Sequence, residues 1–528
     1  MAIPSLIDIA LEDIIAALDA KSFTSVDLVA AYIARISEVN DEFHAVIEIN
    51  PDAKSIARQL DEERSRNISR GPLHGIPLLI KDNVVTLDKM ECTSGSLALV
   101  GARPCHEASV ITRLRKAGVI LLGKTNLSEW SNFRSEKSSS GWSPRGGQTY
   151  GAYLKNSQPS GSSSGSAVAV ALGLTWAALG TETTGSIIGP AETNNVIGFK
   201  PTRGLISTDA VIPVSIRQDV IGTLTRTVKD AAHLLGGFAG RSEFDKFTWN
   251  IPFDTLPDYA AVCNGTNLQG FKIGVPRNAF MGMNIKPAAL AAFELGLKIL
   301  TDAGAQVVEN TDFKATDDYK AMDKVSKLFA ITTEFKTDIQ AYLSSLDKNP
   351  NNIHNLDDLI AFTEGTPEER YPEFDIGRFH WTKAEGADLD AQKYKESLKQ
   401  DLYFGGEGGI LGAMEAHNLD LIVIPTVAEI PIAFAAKVGY PLITVPLGFY
   451  PEGTPVEMHK RGKMILYAPG IPYCITFISK AYSEETLLKV AHAFEQLTLT
   501  RKNGPQPYLT AKTEISDILR KSGRDLKI

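Results

Sequence analysis

Three side chains in this sequence could hand one proton along a line. Ser160-Gly161-Ser162-Ser163-Ser164-Gly165-Ser166 is rich in serine and glycine, and Thr183-Thr184-Gly185-Ser186 places a second Gly-Ser with its serine 24 residues beyond Ser162. Lys81 closes the apolar run Leu78-Leu79-Ile80 well upstream. Hydroxyls and backbone N–H groups set in turn-rich backbone can reach a substrate. A lysine ending an apolar run is a base that burial keeps uncharged. Together they point to a serine nucleophile served by an amine rather than an imidazole, and so to acyl transfer. Taken singly the parts are weak, because a Ser/Gly stretch is most simply a flexible linker and a lone lysine a surface residue. The flanks decide. Ala167–Leu179 reads as a helix directly after the serines, which puts them at a helix entry inside a packed region, and Pro77–Ile80 argues that Lys81 is buried.

Two literal motif matches compete with this reading and lack their context. Gly118-Val119-Ile120-Leu121-Leu122-Gly123-Lys124-Thr125 fits the phosphate-loop pattern G-x-x-x-x-G-K-[ST]. That motif needs a flexible loop between strand and helix, whereas these intervening residues are themselves a strand and Gly118 reads as the stop of a helix over Ser109–Ala117. Gly161-Ser162-Ser163-Ser164-Gly165 satisfies G-x-S-x-G around Ser163, but a nucleophile elbow follows at once on a buried strand. Tyr153–Pro159 is polar and ends in proline, and none of His233, His354, His380, His417, His459 and His492 has a context that marks it as a partner.

A frame of strands and helices has to hold these groups. Short apolar runs at Ile76–Ile80, Val119–Leu122, Ile273–Val275, Leu421–Ile424 and Ile443–Val445 alternate with helical patterns, such as Pro287–Ala303 with Leu290, Phe293, Leu297 and Leu300 on one face. Thr24 is placed to cap a helix carrying Val29, Ile33 and Ile36, with Asp27 completing a near capping box. This alternation predicts an α/β architecture with both sheet faces covered. From about Arg241 to Ala413 the chain is richer in charged and aromatic residues, and it reads as a mostly helical insertion beside the sheet within one domain spanning 1–528, the core being about 1–240 and 414–510.

Bulk composition narrows the classes further. The 528 residues are 43% hydrophobic and 22% charged, with a net charge of −8. That mild acidity and the lack of a Lys/Arg run argue against nucleic acid as the main ligand. Cys92, Cys105, Cys263 and Cys474 are scattered without C-x-x-C or zinc-type spacing, which implies a reducing compartment, and a cytoplasmic location is expected. MAIPSLIDIALEDII lacks the basic start and long apolar stretch of a signal peptide. The most apolar window, Ala167–Gly180, is too short to span a bilayer and reads as a buried helix.

Gly75-Ile76-Pro77-Leu78-Leu79-Ile80-Lys81-Asp82, Leu122–Glu129, Pro159–Ser166, Gly180–Ser186 and Gly198–Gly204 together resemble the amidase signature family, in order and with the family's spacing. Leu421–Thr426 and Pro441–Gly448 extend the resemblance over nearly the whole chain outside the insertion. Gly141-Trp142-Ser143-Pro144-Arg145-Gly146-Gly147-Gln148 and Gly180-Thr181-Glu182-Thr183 look most like peptide amidases and their fungal and bacterial relatives. The resemblance implies a single α/β/α domain around a large mixed, twisted sheet. It implies that Lys81 is the catalytic lysine, that Ser162 is a bridging serine on a cis peptide bond and that Ser186 is the nucleophile. The backbone N–H groups of Thr183, Thr184, Gly185 and Ser186 would then form the oxyanion hole. No cofactor and no metal has a part in this chemistry.

On that basis the expected reaction is hydrolysis of a linear carboxamide, either a peptide C-terminal amide or a small acyl or aryl amide. Ser162 would pass the proton of Ser186 to uncharged Lys81 and return it to the leaving nitrogen. An alcohol suits the middle position because it donates and accepts at once. The expected partner is a small-molecule or peptide amide, with no nucleic acid and no membrane, and a homodimer is allowed. Three departures from the family pattern stand out, one being Ser164 where the family often has glycine. Thr184 brings a β-branched side chain to backbone that must approach the scissile carbonyl, and Asn195 replaces a usual glycine, which asparagine tolerates in left-handed backbone. Two alternatives stay open: the ammonia-generating component of a tRNA-dependent amidotransferase, and a pseudoenzyme that binds amides without cleaving them.

Overall fold

The five short apolar runs form strands of a single sheet. The computed structural model describes residues 5–523, so the first four residues of the N-terminal stretch read above and the last five of the chain lie outside it. Eleven strands make the central sheet: β1 (Val46–Ile49), β2 (Pro77–Lys81), β3 (Ile120–Thr125), β4 (Ala178–Glu182), β5 (Ile197–Lys200), β6 (Val220–Thr225), β7 (Lys272–Val275), β8 (Gln306–Glu309), β9 (Leu421–Pro425), β10 (Leu442–Phe449) and β11 (Pro472–Ile478). Their order is β1-β3-β2-β4-β6-β5-β10-β11-β9-β7-β8. The sheet is mixed: β2 runs parallel to β3 and to β4, while β4–β6, β6–β5, β5–β10, β10–β11 and β11–β9 are antiparallel. β2, β3, β4 and β6 are buried at every position, as strands covered on both faces must be.

Helices α1 (Leu11–Asp19), α2 (Ser25–Phe43) and α3 (Ala53–Ser65) precede the first parallel strands, and α4 (Ser109–Lys116) leads into β3. The cap on α2 forms as expected: Thr24 accepts from the Asp27 N–H while the Asp27 carboxylate takes the Thr24 N–H. Helix α5 (Ser164–Ala171) follows the serine-rich segment, and α6 (Ile188–Thr193) follows Ser186.

The Ala167–Leu179 helix expected from composition stops at Ala171, and Ala178–Leu179 belong to β4. Gly173 turns the chain with φ +63° against the backbone of Leu6 and Ile7. Arg35 donates to the carbonyls of Leu172 and Gly173, and Arg226 to those of Val170 and Thr175. These buried guanidiniums satisfy the carbonyls that a helix end leaves open, so alanine's helix propensity yields to pairing of β4 with β2 and β6.

The stretch 241–413 has two parts. The first supplies β7, α7 (Pro287–Asp302) and β8 to one end of the sheet. From Thr316 onward it is helical, with one short strand, Leu346–Lys348, paired to Arg103–Pro104. Phe335, Ile339, Leu343 and Phe379 of this part pack with Val85, Leu99, Trp130 and Phe133 in a hydrophobic cluster separate from the main core. Those partners lie in the loops after β2 and β3, so the helices brace the segments that leave the parallel strands. Among the described residues no helix is long and apolar enough to cross a membrane.

Gly165 in α5 sits where a Cβ would meet the Ala45 carbonyl and the Asn126 backbone. Gly165→Ala is expected to destabilise the fold by about 1–3 kcal/mol, read as a lower midpoint in denaturant unfolding. An unchanged midpoint would contradict this packing.

Candidate active site

Lys81 ends β2 with no exposed surface. Its Nζ lies 2.7 Å from Ser162 Oγ, 2.8 Å from Thr181 Oγ1 and 3.2 Å from the Thr181 carbonyl. Asn83 Nδ2 donates to the same Thr181 hydroxyl at 3.0 Å. Among the described residues, no carboxylate touches the amine. Burial pulls Lys81 down to about 7, against the more distant attraction of Asp219 and Glu182, so a large fraction of this lysine is uncharged at neutral pH.

Ser162 is held from behind. The Gly161–Ser162 bond is cis, and the Ser128 N–H donates to the Ser162 carbonyl at 3.0 Å. A side chain at Gly161 would run into Ser128 and Ser140. Ser163, the centre of the G-x-S-x-G match, is fully buried, and its hydroxyl donates to the Thr181 carbonyl at 3.0 Å. It is therefore part of the packing and no exposed elbow nucleophile. Lys124 of the phosphate-loop match is likewise buried in a strand, donating to the Val84 carbonyl at 2.6 Å and lying 3.0 Å from Cys92 Sγ.

Ser186 is carried by the link from β4 to α6. The Ser163 N–H donates to the Ser186 carbonyl at 3.1 Å, which ties this link to the residue after Ser162. No hydrogen bond joins the hydroxyls of Ser162 and Ser186. The Glu182 carboxylate takes the N–H groups of Ile187 (2.7 Å) and Ile188 (3.2 Å). Among the described residues, none accepts a hydrogen bond from the N–H groups of Thr184, Gly185 or Ser186. Gly185 has φ +77°, with no atom within 4 Å of where its Cβ would stand, so this backbone faces open space.

Two residues that sequence reasoning passed over clamp the same link. Gln218 Nε2 donates to the Thr183 carbonyl at 3.0 Å and to Thr184 Oγ1 at 2.9 Å. Asp219 accepts from the Thr183 hydroxyl and from the N–H groups of Val214 (2.8 Å) and Ser215 (3.1 Å). Burial raises the Asp219 carboxyl, and these donors oppose the rise. The Thr184 side chain is exposed and accepts from Gln218. Asn195 does adopt left-handed backbone, with φ +55°.

The arrangement combines a buried amine tending to be uncharged, a hydroxyl touching it, and a second serine beside backbone donors without acceptors. Those are the parts an acyl transfer requires. Among the described residues, no group of three or more His, Cys, Asp or Glu is placed to hold a metal ion. Gln218→Ala is expected to speed hydrogen exchange of the Ser163, Ile187 and Ile188 amides, whose hydrogen bonds depend on the position of this link, while leaving the β2 and β4 amides protected. Exchange as slow as in the parent chain would contradict the clamp.

The Amidase family profile matches residues 27–488. An amidase-family protein of Arthroderma benhamiae is 42% identical over 538 residues, covering 98% of this chain and 90% of the relative. One component of the glutamyl-tRNA(Gln) amidotransferase of Lacticaseibacillus paracasei is 31% identical, covering 89% of this chain and 93% of its own length. Among solved structures, the peptide amidase from Stenotrophomonas maltophilia superposes with a TM-score of 0.84 at 37% identity, covering 95% of this chain and 98% of that one.

Proposed function

We propose that this chain, which belongs to the amidase family and is an amide-hydrolysing enzyme, cleaves linear carboxamides through an acyl-enzyme on Ser186. Ser186 Oγ attacks the carbonyl carbon as its proton passes to Ser162 Oγ and the Ser162 proton passes to Lys81 Nζ. The oxyanion takes hydrogen bonds from the backbone at Thr183–Ser186, donors fixed before the charge develops. Collapse of the tetrahedral adduct expels the amine, which receives the proton back from Lys81 through Ser162. Water then attacks the ester by the same relay, releasing the acid and restoring Ser186. The observation that carries this reading is the 2.7 Å contact between Lys81 Nζ and Ser162 Oγ in a fully buried setting.

The likeness to a peptide amidase supports a peptide C-terminal amide or a small acyl or aryl amide as substrate. The likeness to an amidotransferase component is weaker in identity. Amide turnover by the purified chain alone decides between them. Four free cysteines fit a reducing, cytoplasmic setting.

Ser186→Ala is expected to lower kcat by about 10⁵-fold or more and to abolish labelling by a fluorophosphonate probe. Labelling that persists at Ser163 would contradict the assignment. In the parent enzyme kcat/KM should rise with pH through about 7, as Lys81 loses its proton, and level off above. The sign follows from the base: only the uncharged amine accepts a proton. A rate that falls across that range would contradict an amine base.

A further inference from the structure

Helix α6 starts two residues after Ser186, and its last turn borders a cavity of about 350 Å³. Glu192 enters this cavity from α6, facing Tyr450, Tyr467, Val427 and Ile285, with Glu429 exposed at the rim. Among the described residues, the donor hydrogen-bonded to the Glu192 carboxyl is the Cys474 thiol, a weak one at 3.6 Å, while the nearby backbone at Cys474 and Val427 eases its ionisation slightly. Among the described residues, no lysine, arginine or histidine pairs with Glu192 or Glu429. Lys286 stacks over the Tyr467 ring at 4.5 Å, but its Nζ is already bound by Glu457 at 2.7 Å. Burial without a counter-charge pushes the Glu192 carboxyl up to about 7.

A carboxylate in a half-buried, aromatic-walled space is costly unless a cation arrives with the ligand, and tyrosine ring faces favour such a cation. Along a helix rise of about 1.5 Å per residue, Glu192 lies on the order of 9 Å from Ser186. Thr193 Oγ1 and Asn194 Nδ2 donate to the Pro159 carbonyl at 2.9 and 3.1 Å, so the same end of α6 also abuts the segment leading into Ser162.

We propose that this cavity is a substrate subsite for an alkylammonium group, with Glu192 as its counter-ion, so that the favoured amides carry a primary amine about one extended lysine side chain from the scissile carbonyl. The inference rests on the amidase reading above and adds a substrate class to it. N-acetyl-lysinamide and N-acetyl-norleucinamide differ only in the terminal ammonium. The parent enzyme should hydrolyse the former with a kcat/KM roughly tenfold higher or more, as one well-placed charge contact allows. Glu192→Gln keeps the shape of the side chain and an oxygen facing the Cys474 thiol, and so separates charge from packing. It should bring the ratio near one while the norleucinamide rate stays within about threefold.

A second measurement is independent of turnover. Calorimetry should find n-hexylammonium bound roughly tenfold more tightly than n-hexanol by the parent chain, and that difference should vanish in Glu192→Gln. Equal binding of the two probes, or a preference that survives the substitution, overturns the subsite. Failure to hydrolyse either amide overturns amino-acid amides as the substrate class, while the calorimetric comparison still decides the cation site.

Discussion

A buried amine whose hold on its proton is weakened by desolvation is the constraint from which the rest of this structure follows. Lys81 stands at the end of a strand covered on both faces, its nearest neighbours hydroxyl and carbonyl oxygens rather than carboxylates. Placing a carboxylate in contact would have stabilised the ammonium and removed the base. The acidic groups that do exist nearby, Glu182 and Asp219, are instead turned to backbone N–H groups and to the Thr183 hydroxyl. Their charge is spent on holding loops, and the lysine is left to the desolvation that weakens its hold on a proton.

The parallel strands β2, β3 and β4 make this possible because their C-terminal ends lie side by side. The long connection after β3 is tied to itself by the Ser128 N–H on the Ser162 carbonyl, and to β4 and the link after it by Ser163, which donates to the Thr181 and Ser186 carbonyls. The connection that returns to β6 closes the set through Gln218 and Asp219. Helices from the second half of the 241–413 stretch pack on the outer side of these loops through Phe335 and Phe379. Rigidity of the serines thus comes from backbone contacts between loops, which is why Gly161 and Gly165 sit where any side chain would collide.

Much of this was legible in the residues, and what was not has a physical explanation. Lys81 could be read because an apolar run ending in lysine is unusual on a surface, and Ser162 and Ser186 because their Gly-rich context marks turns. Thr181 could not be read. It lies at the end of an alanine-rich window whose composition is that of a helix, and only pairing with β2 and β6 makes Ala178–Glu182 a strand. Gln218 and Asp219 lie in a loop with no periodicity, and their role depends on a contact 35 residues away along the chain. The side-chain direction of Thr184 was equally hidden, since it follows from Gln218. The sheet character of Gln306–Glu309, partly exposed at an edge, left almost no apolar signal.

The state of the Lys81 amine tests the account most directly. Biosynthetic ¹³C/¹⁵N labelling of the lysines, with Lys81→Arg used to assign the Cε and Nζ resonances, lets its titration be followed by NMR in the folded protein. A midpoint near 7 is the predicted result. A midpoint near the ordinary lysine value of about 10.4 would mean that the group is charged at neutral pH, and the proton relay built on it would fall.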